Sequence, residues 1–303
     1  MISIPGGTFV MGSNAHYPEE APEREVRVAP FWMDVDPVTN RAFGQFVAAT
    51  GYVTECELAP DPALYPDMDP ALAAPASAVF WPPEIPTAPE RITDWWRLEV
   101  GACWRRPLGG ESGLDGLEDH PVVHVTFADA LAYAAWAGKS LPTESQWEFA
   151  ARGGLDRADY AWGQVFEPGG IPMANYWHGR FPWENLLEDG FLRTSPVGAF
   201  PPNGYGLRDM IGNVWEWTMD AFDEPPPAAC CAPSAPTAAP ERKVLKGGSH
   251  LCAPNYCRRY RPAARYPQPT DTSTSHVGFR CVVPAPILRP GVHGAVDVSS
   301  GAW

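Results

Sequence analysis

Breakers are the first constraint on what this chain can become. Its 303 residues include 36 prolines and 28 glycines, about a fifth of the whole, spread along the length. Proline inside a helix or a central strand loses a hydrogen bond and clashes with the preceding turn, so a coiled coil is excluded. The glycines follow no three-residue period, which excludes collagen. In a polar chain this fraction would go with disorder. Here 13 Trp, 13 Phe and 10 Tyr offer large apolar surfaces to bury. The expectation is an α+β, loop-rich single domain with low regular secondary structure. No run of about 18 uninterrupted apolar residues marks a membrane span.

Acidic residues outnumber basic ones 36 to 22, a net charge of −14. That argues against nucleic acid, which needs a basic footprint. The start, Met1 to Gly7, has neither a basic n-region nor an apolar h-region, so no secretory signal is expected. Seven cysteines, an odd number, stand at 56, 103, 230, 231, 252, 257 and 281. They do not form a disulfide framework in a chain this long. A reduced, cytoplasmic setting is expected.

Ile2 to Gly12 reads as strand, turn and strand, and Val26, Val28, Phe31, Met33 and Val35 as a further extended run broken at Pro30. Thr39 is placed to cap a helix with Phe43, Phe46 and Val47 on one face and Gly51 as its stop. Nine prolines between 59 and 90 predict an irregular excursion packed by Leu64, Tyr65, Phe80 and Trp81. Val122, Val123, Val125 and Phe127 predict a buried strand, followed by a helix capped by Asp129 and ended by Gly138. Thr143 and Gln146 have capping-box spacing for another helix, ended by Gly153 and Gly154. A second Pro-rich insert covers 223 to 240. One domain over 1–285 is expected, with 286–303 a flexible tail.

Between Arg242 and Arg265 there are seven basic residues and no acid, leaving −21 for the remainder. Cys252 and Cys257 lie inside this basic run. Neighbouring cations lower a thiol pKa, and thiolate is the form that attacks and binds metal. Three fates compete for such a pair. One is a structural disulfide or two buried thiols. A second, zinc, prefers shorter gaps and needs another ligand pair. The third is a redox or soft-metal site, to which Cu(I) is suited. Spacing does not choose among them.

The surrounding residues resemble a known family, the formylglycine-generating enzymes (sulfatase-modifying factors) of bacterial type. The resemblance runs from Pro5-Gly6-Gly7-Thr8-Phe9-Val10-Met11-Gly12 and Pro37-Val38-Thr39-Asn40, through Ala135 to Glu144 and Trp147 to Gly154. It continues with Gly212-Asn213-Val214-Trp215-Glu216-Trp217 and Lys246-Gly247-Gly248-Ser249, and ends at Gly278-Phe279-Arg280-Cys281. It implies a C-type-lectin-like, sulfatase-modifying factor fold. It also implies a copper-dependent oxidase that uses O2 to convert the cysteine of a Cys-x-Pro-x-Arg segment into Cα-formylglycine. The partners implied are an unfolded or nascent sulfatase polypeptide and a thiol reductant, with no nucleic acid and no membrane.

Carried over residue by residue, the resemblance makes Cys252 and Cys257 the Cu(I) ligands, with the substrate cysteine as third sulfur. An older view has Cys257 form a mixed disulfide with substrate. Ser249 and Trp215 match the polar and aromatic walls beside the oxygen-reactive position. Two structural Ca2+ sites are implied: Asn175, Tyr176, Asp189 and Phe191 for the first, Asp209, Gly212, Val214 and Glu216 for the second. Such hard oxygen donors suit calcium. A carboxylate at Glu216 between two tryptophans needs a cation or an arginine beside it.

Secretory relatives carry cysteines where this chain has Ala151 and Pro262, so Cys281 is expected to be unpaired. His250 is expected to be a packed, neutral histidine. The competing function is a non-catalytic lectin-like binding module of the same superfamily with structural thiols. A non-haem iron sulfoxide synthase is disfavoured, because the chain has no added helical domain with a His-x-x-x-Glu motif.

Overall fold

The computed structural model describes residues 1–63, 69, 73–222 and 241–285. Leu64 and Tyr65, the insert with Cys230 and Cys231, and the 286–303 tail lie outside the described residues. Within them, helices are few and short and the strands shorter still, as the breakers dictate.

Helix α1 (Asn40–Thr50) starts where Thr39 accepts from the Ala42 N–H and stops at Gly51, which takes a left-handed φ of 70°. Helix α3 (Glu144–Arg152) has the Thr143–Gln146 capping box and a left-handed Gly153. Helix α2 (Phe127–Trp136) begins three residues earlier than the sequence predicts. Thr126 is its cap, and Asp129 closes the box from inside by accepting the Thr126 N–H at 2.8 Å.

The strand expected over Val122–Phe127 does not form. His124 has a φ of 60°, which no strand tolerates. The N–H groups of Val122 and His124 go instead to the carbonyls of Val38 and Thr274. The valines there are nevertheless buried, so the apolar pattern reported burial and not extension.

Strands β1 (Ile2–Ile4) and β2 (Gly7–Met11) enter different sheets. β2 pairs antiparallel with β3 (Arg24–Val28), while β1 pairs with β4 (Phe31–Met33). In the proline-rich excursion, β5 (Ala76–Phe80) and β6 (Trp96–Val100) form a two-stranded antiparallel pair that the sequence did not announce. The largest sheet runs β10-β7-β8-β9, made of β10 (Val277–Gly278), β7 (Trp215–Ala221), β8 (Arg242–Lys246) and β9 (Arg265–Pro269). Its strand β7 meets α3 where Trp147 donates to Glu216 at 2.7 Å, and meets the start of α2 where Trp217 packs edge-on against Phe127. β11 (Val282–Pro284) returns to pair with β4. A smaller aromatic cluster of Phe80, Trp95, Trp177 and Phe181 lies beside Leu251 and supports the loop described next.

Candidate active site around Cys252 and Cys257

β8 ends at Lys246, and Gly247 and Gly248 turn the chain with φ of 94° and 73°. A Cβ on Gly248 would stand 2.6 Å from the Arg259 carbonyl oxygen, so only glycine lets the two segments press together. The chain then curls, with the Cys252 N–H donating to the Ser249 carbonyl at 2.9 Å. Asn255 anchors the next turn by accepting from the Phe181 N–H and donating to the Phe181 carbonyl, both at 3.2 Å. Tyr256 stacks on the Phe181 ring at 4.5 Å. The thiol loop is therefore fixed at both ends before its chemistry is considered.

Both cysteines are free, and the Cys257 thiol donates to the Cys252 sulfur at 3.0 Å. Burial alone would raise the pKa of Cys252. The Cys257 S–H, the Ser249 N–H and the Arg259 charge outweigh it and hold Cys252 below the ordinary thiol value. Cys257 moves the opposite way, pushed well up by that same hydrogen bond and by burial. Of the two sulfurs, Cys252 is therefore the one that loses its proton more readily, with Cys257 as the donor beside it.

These sulfurs line a cavity of about 170 Å³ together with Ser249 and Trp215, so the four residues expected to work together are in one place. Reasoning from sequence missed Trp95, Trp96, Tyr266 and His276, which also line it. No motif pointed to them, because they come from β6, β9 and the approach to β10. Six chain segments build the wall. His250 is buried outside the cavity lining, and its Nδ1 meets the Asn213 carbonyl at 2.8 Å. Burial lowers its pKa to about 4, so it is neutral at pH 7.

The basic run is not a positive island in space. Lys246 pairs with Glu148 at 2.9 Å, Lys243 with Glu241 at 2.8 Å and Arg265 with Glu144 at 3.1 Å. Arg259 and Arg261 pair with Glu19 and Glu20. Of these cations Arg259 acts on the thiols; Lys246 and Arg265 tie the segment to α3, Arg261 ties it to Glu20, and Lys243 pairs with its near neighbour Glu241.

The residues expected around two calcium ions differ in their fit. In the first set, the Oδ1 atom of buried Asn175 has no partner. The Asp189 side chain is fully enclosed and accepts from the Phe191 N–H at 3.0 Å and the Tyr176 N–H at 3.3 Å. An unmatched buried amide oxygen and a buried carboxylate, the latter also 3.5 Å from His178 Nε2, are oxygen donors of the kind a hard cation takes. In the second set, Glu216 already has its counter-charge. Arg280 donates to it from Nε at 2.8 Å and from Nη2 at 2.8 Å, and Trp147 donates at 2.7 Å. Asp209 accepts from the Gly198 N–H at 2.7 Å. The cation beside Glu216 is a guanidinium, so the Asp209, Gly212, Val214 and Glu216 set does not fit a calcium ion as it stands.

Among the described residues no group of three or more His, Cys, Asp or Glu is placed to hold a metal. That leaves the two sulfurs without the third and fourth protein ligands a zinc site requires. No described helix is long and apolar enough to cross a membrane.

Residues 1–285 match the Sulfatase-modifying factor enzyme 1-like domain. The chain is 53% identical to the formylglycine-generating enzyme of Mycobacterium tuberculosis, over 93% of this chain and 97% of that protein. It is 46% identical to the formylglycine-generating enzyme of Thermomonospora curvata, over 93% and 92%. The solved structure of PvdO from Pseudomonas aeruginosa shares the fold, with a TM-score of 0.61 over 93% of both chains at 24% identity.

Proposed function

We propose, for a chain that belongs to the sulfatase-modifying factor family, that the Cys252–Cys257 cavity is where a sulfatase cysteine is oxidised to Cα-formylglycine. The chain is an enzyme of the formylglycine-generating kind, and its substrate is a sulfatase polypeptide. One observation supports the reading: two free sulfurs 3.0 Å apart, the Cys257 thiol donating to Cys252, in the wall of a cavity. A module that only bound a partner has no use for an open pair of free sulfurs.

Two soft donors with an open third position suit Cu(I), which tolerates low coordination. Cys252 and Cys257 would hold it, and the substrate cysteine would enter as the third sulfur. Copper bound there would supply the route by which O2 meets the substrate thiolate. The protein's own residues do the remaining work. Trp95, Trp96 and Trp215 give the cavity an aromatic wall, and Ser249 stands beside the sulfurs. The hydrogen bonds from Cys257 and Ser249 and the charge of Arg259 make Cys252 the easier thiol to deprotonate, and the Cys257 proton must leave when both sulfurs bind.

The electron balance names the remaining partner. Turning CH2–SH into CHO with release of sulfide removes two electrons from substrate. Taking O2 fully to water-level oxygen requires four, so a thiol reductant supplies the other two. A segment of the form Cys-x-Pro-x-Arg is the expected substrate, in an unfolded or nascent sulfatase, because a cavity of about 170 Å³ admits a side chain and not a folded surface. Asn175, Asp189 and the carbonyls of Tyr176 and Phe191 are proposed to hold one structural calcium ion. Buried free Cys56, Cys103 and Cys281 support a reducing, cytoplasmic setting.

The test is oxidation of a Cys-x-Pro-x-Arg peptide by the copper-loaded protein with O2 and a thiol reductant. The expected product is an aldehyde, read by mass spectrometry and by hydrazine capture. Absence of aldehyde under those conditions sinks the assignment. Absence of stoichiometric Cu(I) uptake as well would favour a binding module with structural thiols.

A further inference from the structure

Thr274 and His276 line the thiol cavity, and Ser275 between them lines a second cavity of about 120 Å³. Its walls are mostly apolar, from residues such as Leu108, Leu117, Pro121 and Val123. Of the polar side chains that line it, three have bonding capacity that the protein leaves unused.

Arg193 is the first. Its Nη1 donates to the Phe80 carbonyl at 2.9 Å, and its guanidinium lies 5.1 Å from the Trp81 ring. No carboxylate among the described residues pairs with it, although the chain carries a net charge of −14. Other enclosed arginines all have one: Arg152 with Glu148, Arg261 with Glu20, Arg280 with Glu216. A half-buried guanidinium without a counter-ion lacks what such a group normally requires.

Asn40 is the second. Its Nδ2 donates to the Leu117 carbonyl at 2.8 Å, which fixes the amide's orientation. That leaves Oδ1 as a buried acceptor with no donor. The third is Ser275, whose Oγ accepts from the Phe80 N–H at 3.1 Å and so keeps its own proton to give. An unused cation, an unused donor and an unused acceptor thus meet in one small, largely apolar space, the pattern of a ligand site.

We propose that this cavity binds a small carboxylate that also carries an O–H or N–H donor, of glycolate or glycine size. The carboxylate sits against Arg193 and the Ser275 hydroxyl, and the donor meets Asn40 Oδ1. The space accommodates several water-sized groups, which admits such a molecule and rejects a nucleotide or a peptide. The site is separate from the thiol cavity and does not depend on the reaction assigned there.

Calorimetric titration of the full chain with glycolate, glycine, acetate and chloride tests this. Glycolate or glycine is expected to bind one to one, about tenfold or more tighter than acetate, which cannot satisfy Asn40. Chloride is expected to bind weakest. Arg193→Met should abolish binding, with Ser275→Ala weakening it several-fold as a milder variant that keeps the fold. Circular dichroism and melting of both variants report folding independently. No binding of glycolate or glycine to the native chain overturns the proposal, as does undiminished binding in a folded Arg193→Met. Equal affinity for acetate and glycolate overturns the role given to Asn40 and with it the ligand class.

Discussion

Cys257 donates its thiol proton to the Cys252 sulfur across 3.0 Å, so the titration of each cysteine depends on the other. Removing the donor should therefore change the acceptor. In Cys257→Ala, Cys252 loses the largest contribution that opposes its burial, and its pKa should rise above that of the native chain. Ultraviolet thiolate absorbance followed against pH reads this directly. Competitive Cu(I) titration should show weaker uptake in Cys252→Ala and in Cys257→Ala. A Cys252 titration indifferent to Cys257 would contradict this hydrogen-bonded coupling.

Calcium should stabilise the loops around Asn175 and Asp189. At free calcium 100-fold above its dissociation constant the gain is about 2.7 kcal/mol, or about 5 °C in melting temperature for a chain of this size. Asp189→Asn should melt at the same temperature with calcium or with chelator. A native chain whose melting is unaffected by chelation argues that Asn175 Oδ1 is satisfied in another way.

Acid should act through buried groups of opposite sign. Burial lowers His124 and His250 to about 4 and His276 to about 3. The unfolded chain protonates these near 6.5, so their contribution is present above that value and declines as pH falls toward the folded values. Asp129 and Asp209 are raised by burial to about 6. They hold protons in the folded state that the unfolded state has released, and so gain stability over the same descent. Between about pH 6 and 4.5 the two sets largely oppose each other. Asp129→Asn should steepen the acid loss by about 1.4 kcal/mol per pH unit, and His124→Asn should flatten it by a similar amount. Urea midpoints measured across that window decide; parallel curves for all three chains would show that these groups do not carry the pH response.

Arg280 and Glu216 form a fully enclosed pair at 2.8 Å. Arg280→Met leaves an uncompensated carboxylate among tryptophans and should cost about 3–5 kcal/mol. It also frees the carbonyls of Val35, Arg208 and Asp209, to which Arg280 donates. Adding Glu216→Gln should therefore recover part of the loss and not all of it. Denaturant unfolding of the single and double variants measures the coupling. Additive effects would mean that the charge pair is not what Arg280 contributes.

Local signals in the sequence were sound where the physics was local. Thr39, Gly51, Thr143 and Gly153 mark helix ends because caps and left-handed stops act within a few residues. The Val122–Phe127 pattern misled because burial on an irregular segment looks like a strand until His124 turns to positive φ. The basic run misled for a different reason. Its partners Glu19, Glu20, Glu144 and Glu148 lie 98 to 241 positions away in sequence, and a local charge count cannot register them. The thiol pair, Ser249 and Trp215 were legible through motif resemblance. Trp95, Trp96, Tyr266 and His276 were not, since the fold delivers them from segments with no motif of their own.

The first and last strands of the described chain, β1 and β11, flank the same partner, β4. A ribosome releasing this protein therefore cannot finish that sheet until residues near Pro284 have emerged. The thiol cavity takes walls from Trp95 through His276, so nearly the whole polypeptide must exist before any oxidising centre does. Truncated or stalled products would carry no partial activity.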